Sequence, residues 1–275
     1  MALGRVSGAS PWSALRTALD AFASVVFPAP CRICEGTLDT ASRVPVCASC
    51  LKAFERIAPP LCDCCGRPIV SPRVADSIQI MCRLCRLETY GFDLARSYAY
   101  YNSPMVRAIL LIKHDEVAPM GAWFADRLAE VVAREPERLV ADVVVPVPLH
   151  PARLRDRGFN QAELIARPLA RRLKLKVGPY LLARTRPRSD KLKLSRSERW
   201  STVRGAYEMR QGVRVDKLRV LLVDDVMTTG ATLDACSRAL RKAGAARVVS
   251  LTVARTVPEW GQVNDAREQP GLNAF

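Results

Sequence analysis

Val220 to Thr232 reads VLLVDDVMTTGAT, and its residue types in that order could do chemistry together. An apolar run delivers two adjacent carboxylates, Asp224 and Asp225, and a turn carrying Thr228, Thr229, Gly230, Ala231 and Thr232 then opens a predicted helix. Unpaired backbone N–H groups and the positive dipole end of a helix favour an anion, phosphate above all. Gly230 lets the backbone close around such a group. The hydroxyls of Thr228, Thr229 and Thr232 add donors. Two acids beside a bound phosphate suit sugar hydroxyls or a hydrated Mg²⁺. The same residues could also do no more than cap a helix. No Gly-Lys-Ser/Thr follows, which excludes a Walker-type loop.

A second chemistry lies in the cysteines. Nine of the ten fall between Cys31 and Cys85. Cys31-x2-Cys34 is followed after twelve residues by Cys47-x2-Cys50, and Cys62-x2-Cys65 after sixteen residues by Cys82-x2-Cys85. Paired thiols at this spacing are those of zinc ribbons, in which two tight turns aim four thiolates at one ion. Two structural Zn²⁺ ions are expected, since four thiolates leave no open position for catalysis. A disulfide framework is the weaker reading, because no secretory signal precedes the cysteines. Cys64 stands spare beside Cys62 and Cys65 and could replace one of them.

The third feature is cationic. The chain carries a formal net charge of +15, and Pro151 to Arg214 holds 18 Lys or Arg against 5 Asp or Glu, so 18 − 5 = +13 lies in that block. Such a block serves a polyanionic ligand or is a solvated face. Arg153, Arg155 and Arg157 cluster after Pro148, and guanidinium groups bind phosphate bidentately, which makes this turn a candidate pyrophosphate site. His150 lies in the same turn as a candidate phosphate contact or proton donor, although a lone loop histidine is more often a surface group. His114 carries no clear role.

Elements that could position these groups follow from periodicity. Strands are predicted at 95–101, 141–147, 176–182, 218–223 and 247–254, and helices at 104–113, 118–134, 160–173 and 232–243. Their alternation argues for a parallel α/β sheet, which binds ligands at the carboxyl ends of its strands. The expected organisation is an amphipathic leader helix over 1–30, a double zinc ribbon over 31–90, an α/β domain over 91–257 and a frayed tail over 258–275. Trp12, Leu15, Leu19, Phe22 and Val26 give the leader its helical spacing. No apolar run reaches the ~18 residues of a membrane span, and with no signal peptide a cytoplasmic location is expected.

The phosphate-loop segment resembles the phosphoribosyl pyrophosphate (PRPP) motif of type I phosphoribosyltransferases. The resemblance implies that fold, with Asp224 and Asp225 on the ribose hydroxyls, Thr228 to Thr232 on the 5-phosphate, and Mg²⁺ accompanying PRPP. The string PVPLHPARLRDRGFNQ and the cysteine module resemble the ComF family of competence-associated phosphoribosyltransferase-like proteins. On that resemblance Arg153, Arg157 and His150 form the pyrophosphate site. The Arg-rich stretch near 184–205 resembles the loop that closes over PRPP in related enzymes, with Arg186 and Lys191 as catalytic cations beside Asp224 and Asp225. Family members usually carry Thr and Gln where Arg188 and Lys191 stand, and Asn where Thr202 stands, a departure that bears on turnover more than on binding. The implied activity is phosphoribosyl transfer to an acceptor that these residues leave open. The rival is a PRPP-sensing protein associated with single-stranded DNA or DNA-uptake proteins.

Overall fold

A computed structural model describes residues 30–38, 42–69, 80–87, 90–187 and 195–257. The expected leader helix and tail, and Arg188 and Lys191, lie outside these residues. The described elements are α1 (Ala48–Lys52), α2 (Arg83–Leu87), β1 (Leu94–Tyr100), α3 (Ser103–His114), α4 (Ala118–Arg134), β2 (Val143–Pro146), α5 (Pro151–Arg157), α6 (Gln161–Leu173), β3 (Lys176–Val177), β4 (Leu182–Arg184), α7 (Arg196–Val203), β5 (Tyr207–Met209), β6 (Arg219–Met227), α8 (Ala231–Lys242) and β7 (Arg247–Arg255).

A five-stranded sheet runs in the order β1-β7-β6-β2-β3, parallel at every pairing. β6 is central, and Val220, Leu221, Leu222 and Val223 are fully buried there, as a strand covered on both faces requires. One face packs against α3, α4 and α6, the other against α8 and the hairpin. Pro168 stands inside α6 and donates no hydrogen bond to the Leu164 carbonyl. Gly121 of α4 approaches that carbonyl so closely that a Cβ there would lie 2.8 Å from its oxygen.

Three expectations change. The segment 176–182 is not one strand. The chain leaves the sheet at Gly178, whose N–H donates to the Val144 carbonyl at 2.8 Å, and resumes as β4 in an antiparallel hairpin with β5. Gly178-Pro179 turns the chain there, because proline cannot donate to a continuing ladder. β6 extends four residues past Val223 to Met227, so both acids lie within the strand. The clustered arginines at 153–157 sit on a helix of their own, α5, capped by His150, whose Nδ1 accepts from Ala152 N at 3.3 Å, and ended by Gly158 at φ +83°.

The two cysteine modules clasp edge strand β1 from opposite faces. Cys31 and Cys47 join the core of α3, α4 and α6, while Cys62, Cys65 and Cys85 join the core of α8. Ile57 N donates to Tyr98 O at 3.0 Å, Tyr100 N to Glu55 O at 2.9 Å and Ala95 N to Cys64 O at 2.7 Å. These bonds satisfy an edge that would otherwise be open to pairing with another chain.

Candidate functional site

The carboxyl ends of β6 and β2 open into a cavity of about 490 Å³. Its floor is Asp224 and Asp225, 8% and 5% exposed. Asp224 Oδ1 accepts from Asp225 N at 2.9 Å, and Asp225 Oδ1 accepts from Val226 N at 2.7 Å. Asp225 Oδ2 lies 2.8 Å from Nζ of Lys113, at the end of α3.

That ion pair separates two neighbouring carboxyls. Burial pushes Asp224 well above the usual carboxylate range, and the charge on Asp225 pushes it further. Burial also opposes ionisation of Asp225, but the Lys113 ammonium outweighs it and holds Asp225 below that range. Burial lowers the pKa of the half-buried Lys113, but Asp225 outweighs it and raises it.

Beyond the acids the strand gives way to the loop, and Gly230 takes φ +84° as N-cap of α8. Only glycine adopts that conformation cheaply. Of the first N–H groups of α8, that of Ala231 donates to Thr229 Oγ1 at 3.3 Å, and a helix start of this kind suits an anion. Thr228, Thr229, Ala231 and Thr232 line the same cavity, so the structure brings the whole predicted loop to the acidic pair. Arg153 and Arg157, from α5, line the same cavity. Arg157 donates to Gln161 Oε1 at 2.7 Å, and its pKa is lowered by burial and by Arg153.

His150 is not among the lining residues; its ring is engaged in capping α5. Arg186 is exposed and donates to the Arg204 carbonyl at 3.3 Å, outside the lining. The cationic segment instead presents Arg184 from β4 and Arg199 from α7, with Thr202 one helical turn on. The lining also holds Tyr101, Leu110, His114, Gln161 and Tyr207. Leu110 and His114, together with Lys113, could have been found from their i, i+3, i+4 spacing on α3, one face of a helix whose end abuts a strand terminus. Arg199 and Thr202 show the same i, i+3 spacing.

The cysteines form two clusters, Cys31, Cys34, Cys47, Cys50 and Cys62, Cys65, Cys82, Cys85, each with all four Sγ atoms within 4.8 Å of one another. A tetrahedron with Zn–S near 2.3 Å has edges of about 3.8 Å. Cys34 Sγ···Cys47 Sγ is 3.7 Å and Cys65 Sγ···Cys82 Sγ is 3.8 Å. Backbone N–H groups of Ile33 and Cys47 donate to Cys31 Sγ at 3.4 and 3.3 Å, and that of Cys82 to Cys62 Sγ at 3.3 Å, which suits charged thiolates. The donor set fits Zn²⁺ and is closed, hence structural. Cys64 lies outside both quartets; its carbonyl, not its thiol, is built into β1.

Residues 160–266 match the phosphoribosyl transferase domain family and residues 22–86 the double zinc ribbon domain family. A type I phosphoribosyltransferase-fold domain behind a double zinc ribbon is thus the class that fold and site define. The DNA utilization protein YhgH of Salmonella typhimurium is 29% identical over 234 residues, covering 84% of this chain and 98% of that protein. YhgH of Escherichia coli K12 is 30% identical over 217 residues, 77% of this chain and 91% of the relative. Competence protein ComFC of Streptococcus pneumoniae is 30% identical over 212 residues, 76% and 87% respectively. The chain belongs to the ComF family. Among the described residues no helix is long and apolar enough to cross a membrane.

Proposed function

We propose that the cavity binds PRPP with Mg²⁺ and that the protein transfers its phosphoribosyl group to a nitrogen nucleophile or water. The observation that carries this reading is the buried acidic pair, one acid bridged to Lys113, in one cavity with the threonine loop and with Arg153, Arg157, Arg184 and Arg199. Thr228 to Thr232 hold the 5-phosphate. Asp224 and Asp225 meet the ribose hydroxyls. Arg153 and Arg157, with Arg184 and Arg199, meet the pyrophosphate. In the reaction the C1–O bond to pyrophosphate breaks, a C1–N or C1–O bond to the acceptor forms, and the acceptor's proton passes to solvent or a cavity base. The chain's part is electrostatic: fixed guanidinium groups stabilise the charge that accumulates on the leaving oxygen. Mg²⁺, when bound, supplies further neutralisation of that charge. Asp224 and Asp225 are hard oxygen donors suited to hold it, directly or through water.

Titration calorimetry with PRPP and Mg²⁺ tests the binding, and absence of heat with the wild type sinks it. Product analysis against a panel of nucleobases and amines tests transfer.

The names of the relatives favour a role in competence or DNA use. The +13 block from Pro151 to Arg214 favours a second reading, a PRPP-sensing protein that contacts single-stranded DNA or DNA-uptake partners. Salt-dependent retention of single-stranded DNA by a protein that turns over no acceptor would select it.

A further inference from the structure

The segment that leaves the second cysteine cluster reaches β1 by crossing the N-terminal end of α8. Gly91 N donates to Asp234 Oδ1 at 2.6 Å, and Asp234, 4% exposed, sits in the first turn of that helix. The approach is so close that a Cβ on Gly91 would lie 2.7 Å from Arg238 Cγ and 3.0 Å from the Asp234 carbonyl oxygen. Tyr90 is thereby pressed onto the phosphate loop. Its ring edge, Cε1, lies 3.1 Å from where a Cβ of Gly230 would stand, and its hydroxyl points to the Thr229 carbonyl oxygen at 3.4 Å. The hydroxyl contact is long, so the ring is the stronger constraint.

The same ring meets two others. Tyr90 stacks on Phe92 at 4.6 Å between centroids and 22° between planes, and packs tilted on Trp200 at 5.7 Å. Trp200 belongs to α7, whose Arg199 and Thr202 line the cavity. One aromatic side chain on the exit from the zinc module therefore touches both the loop and the helix that carries Arg199 and Thr202 of the cavity wall.

We propose that Tyr90 is a positioning residue for the 5-phosphate loop, acting through Gly230 and Thr229 and braced by Phe92 and Trp200. This inference rests on the PRPP reading above. A loop that must present several N–H groups to one phosphate loses affinity when its backbone is free to wander, and a rigid neighbour prevents that. The effect is local: Tyr90 meets the loop at Thr229 and Gly230, whereas Arg153 and Arg157 are carried by a separate element, α5.

The test compares ribose 5-phosphate, PRPP and inorganic pyrophosphate as ligands of the wild type, Tyr90→Leu and Tyr90→Phe, all full-length and checked for zinc content and melting temperature. Tyr90→Leu is expected to weaken ribose 5-phosphate and PRPP about tenfold, or about 1.4 kcal/mol, while pyrophosphate stays within about twofold. Tyr90→Phe keeps the ring and rescues ribose 5-phosphate to within about threefold of wild type. Folded, zinc-replete Tyr90→Leu that binds ribose 5-phosphate like the wild type overturns the proposal, as does a parallel loss of all three ligands. If Tyr90→Leu does not fold, Trp200→Leu loosens Tyr90 from the other side and should weaken ribose 5-phosphate about threefold; an unchanged affinity there also overturns it. A wild type that binds neither phosphosugar fails the PRPP reading itself, and this inference with it.

Discussion

Lys113 Nζ stands 2.8 Å from Asp225 Oδ2, and no comparable cation contacts Asp224 among the described residues. Adjacent acids thus differ in what each does to the unliganded fold. Asp224 is buried beside a negative charge, so its folded pKa is raised; the folded state takes up a proton more readily than the unfolded chain. The wild type consequently loses stability as pH rises from the ordinary carboxylate range through that raised value. Asp224→Asn should therefore stabilise the unliganded protein at neutral pH by about 1–2 kcal/mol while abolishing PRPP binding, and the gain should shrink as pH is lowered. Denaturant titrations at several pH values check this; a destabilised Asp224→Asn at neutral pH refutes it.

Asp225→Asn should do the opposite. Its folded pKa is held down by Lys113, so its contribution is present above the ordinary carboxylate range and is lost as pH falls through the lowered value. Removing it leaves the Lys113 ammonium, 23% exposed, without its partner. A loss of about 3 kcal/mol is expected at neutral pH, closing toward acid. Lys113→Met with Asp225→Asn should recover much of that loss, as replacement of a whole buried pair does; the double-mutant cycle measures it.

Gly230→Ala isolates the loop's backbone requirement. Alanine at φ +84° is strained, and its Cβ would stand 2.9 Å from Met227 Cε and 3.1 Å from Tyr90 Cε1. A cost of about 1–2 kcal/mol is expected in the fold, with weaker ribose 5-phosphate binding by calorimetry.

Much of this site could be read along the chain, and the limit of that reading has a physical cause. The acidic pair, the Thr-Thr-Gly loop and the helix behind it are contiguous, so local spacing carries their geometry. Each cysteine quartet is likewise built from paired turns. The wall contributed by α3 is not contiguous with the loop: Lys113 meets Asp225 across more than a hundred residues, which only the order of strands in the sheet determines. The basic block shows why composition alone misplaces individual groups. Arg184 is the last residue of β4, paired with Tyr207, whereas Arg186 lies past the strand's end, so which of them lines the cavity depends on where the β4–β5 hairpin stops, while the segment reads simply as cationic.

The two metal clusters should differ in lability. Cys34 is exposed and Cys47 and Cys50 are half-buried, whereas Cys62, Cys65 and Cys85 are buried. The second cluster is also tied into the sheet by buried arginines: Arg96 Nη1 donates to Cys62 O at 3.3 Å and Arg255 Nη1 to Cys65 O. Metal analysis should find about two zinc per chain, and a chromophoric chelator should release them in two phases, the first from Cys31, Cys34, Cys47 and Cys50. Cys62→Ser should cost about 3–5 kcal/mol, because disorder there takes the Cys65 carbonyl from the guanidinium of Arg255, 1% exposed, and the Cys62 carbonyl from Arg96, which keeps Glu135; Cys34→Ser should cost less. A single-phase release with equal losses would contradict this ordering.

The cationic wall gives a direct contest between neighbouring arginines. Arg184 and Arg199 line the cavity, and Arg186 does not. A charge-assisted hydrogen bond to an anionic ligand contributes roughly 1.5–3 kcal/mol, so Arg184→Ala and Arg199→Ala should each weaken PRPP by about tenfold or more. Arg153→Ala and Arg157→Ala should weaken PRPP and pyrophosphate while sparing ribose 5-phosphate, which reaches only the loop. Arg186→Ala, whose guanidinium is spent on the Arg204 carbonyl, should leave PRPP affinity within about twofold. Calorimetry at two salt concentrations separates these contacts from the field of the whole basic block: loss of a site arginine lowers affinity at both, whereas loss of a distant charge fades as salt screens it. If Arg186→Ala proved the more damaging at high salt, this cationic segment would engage PRPP in an arrangement other than the one described, with Arg186 rather than Arg184 turned toward the ligand.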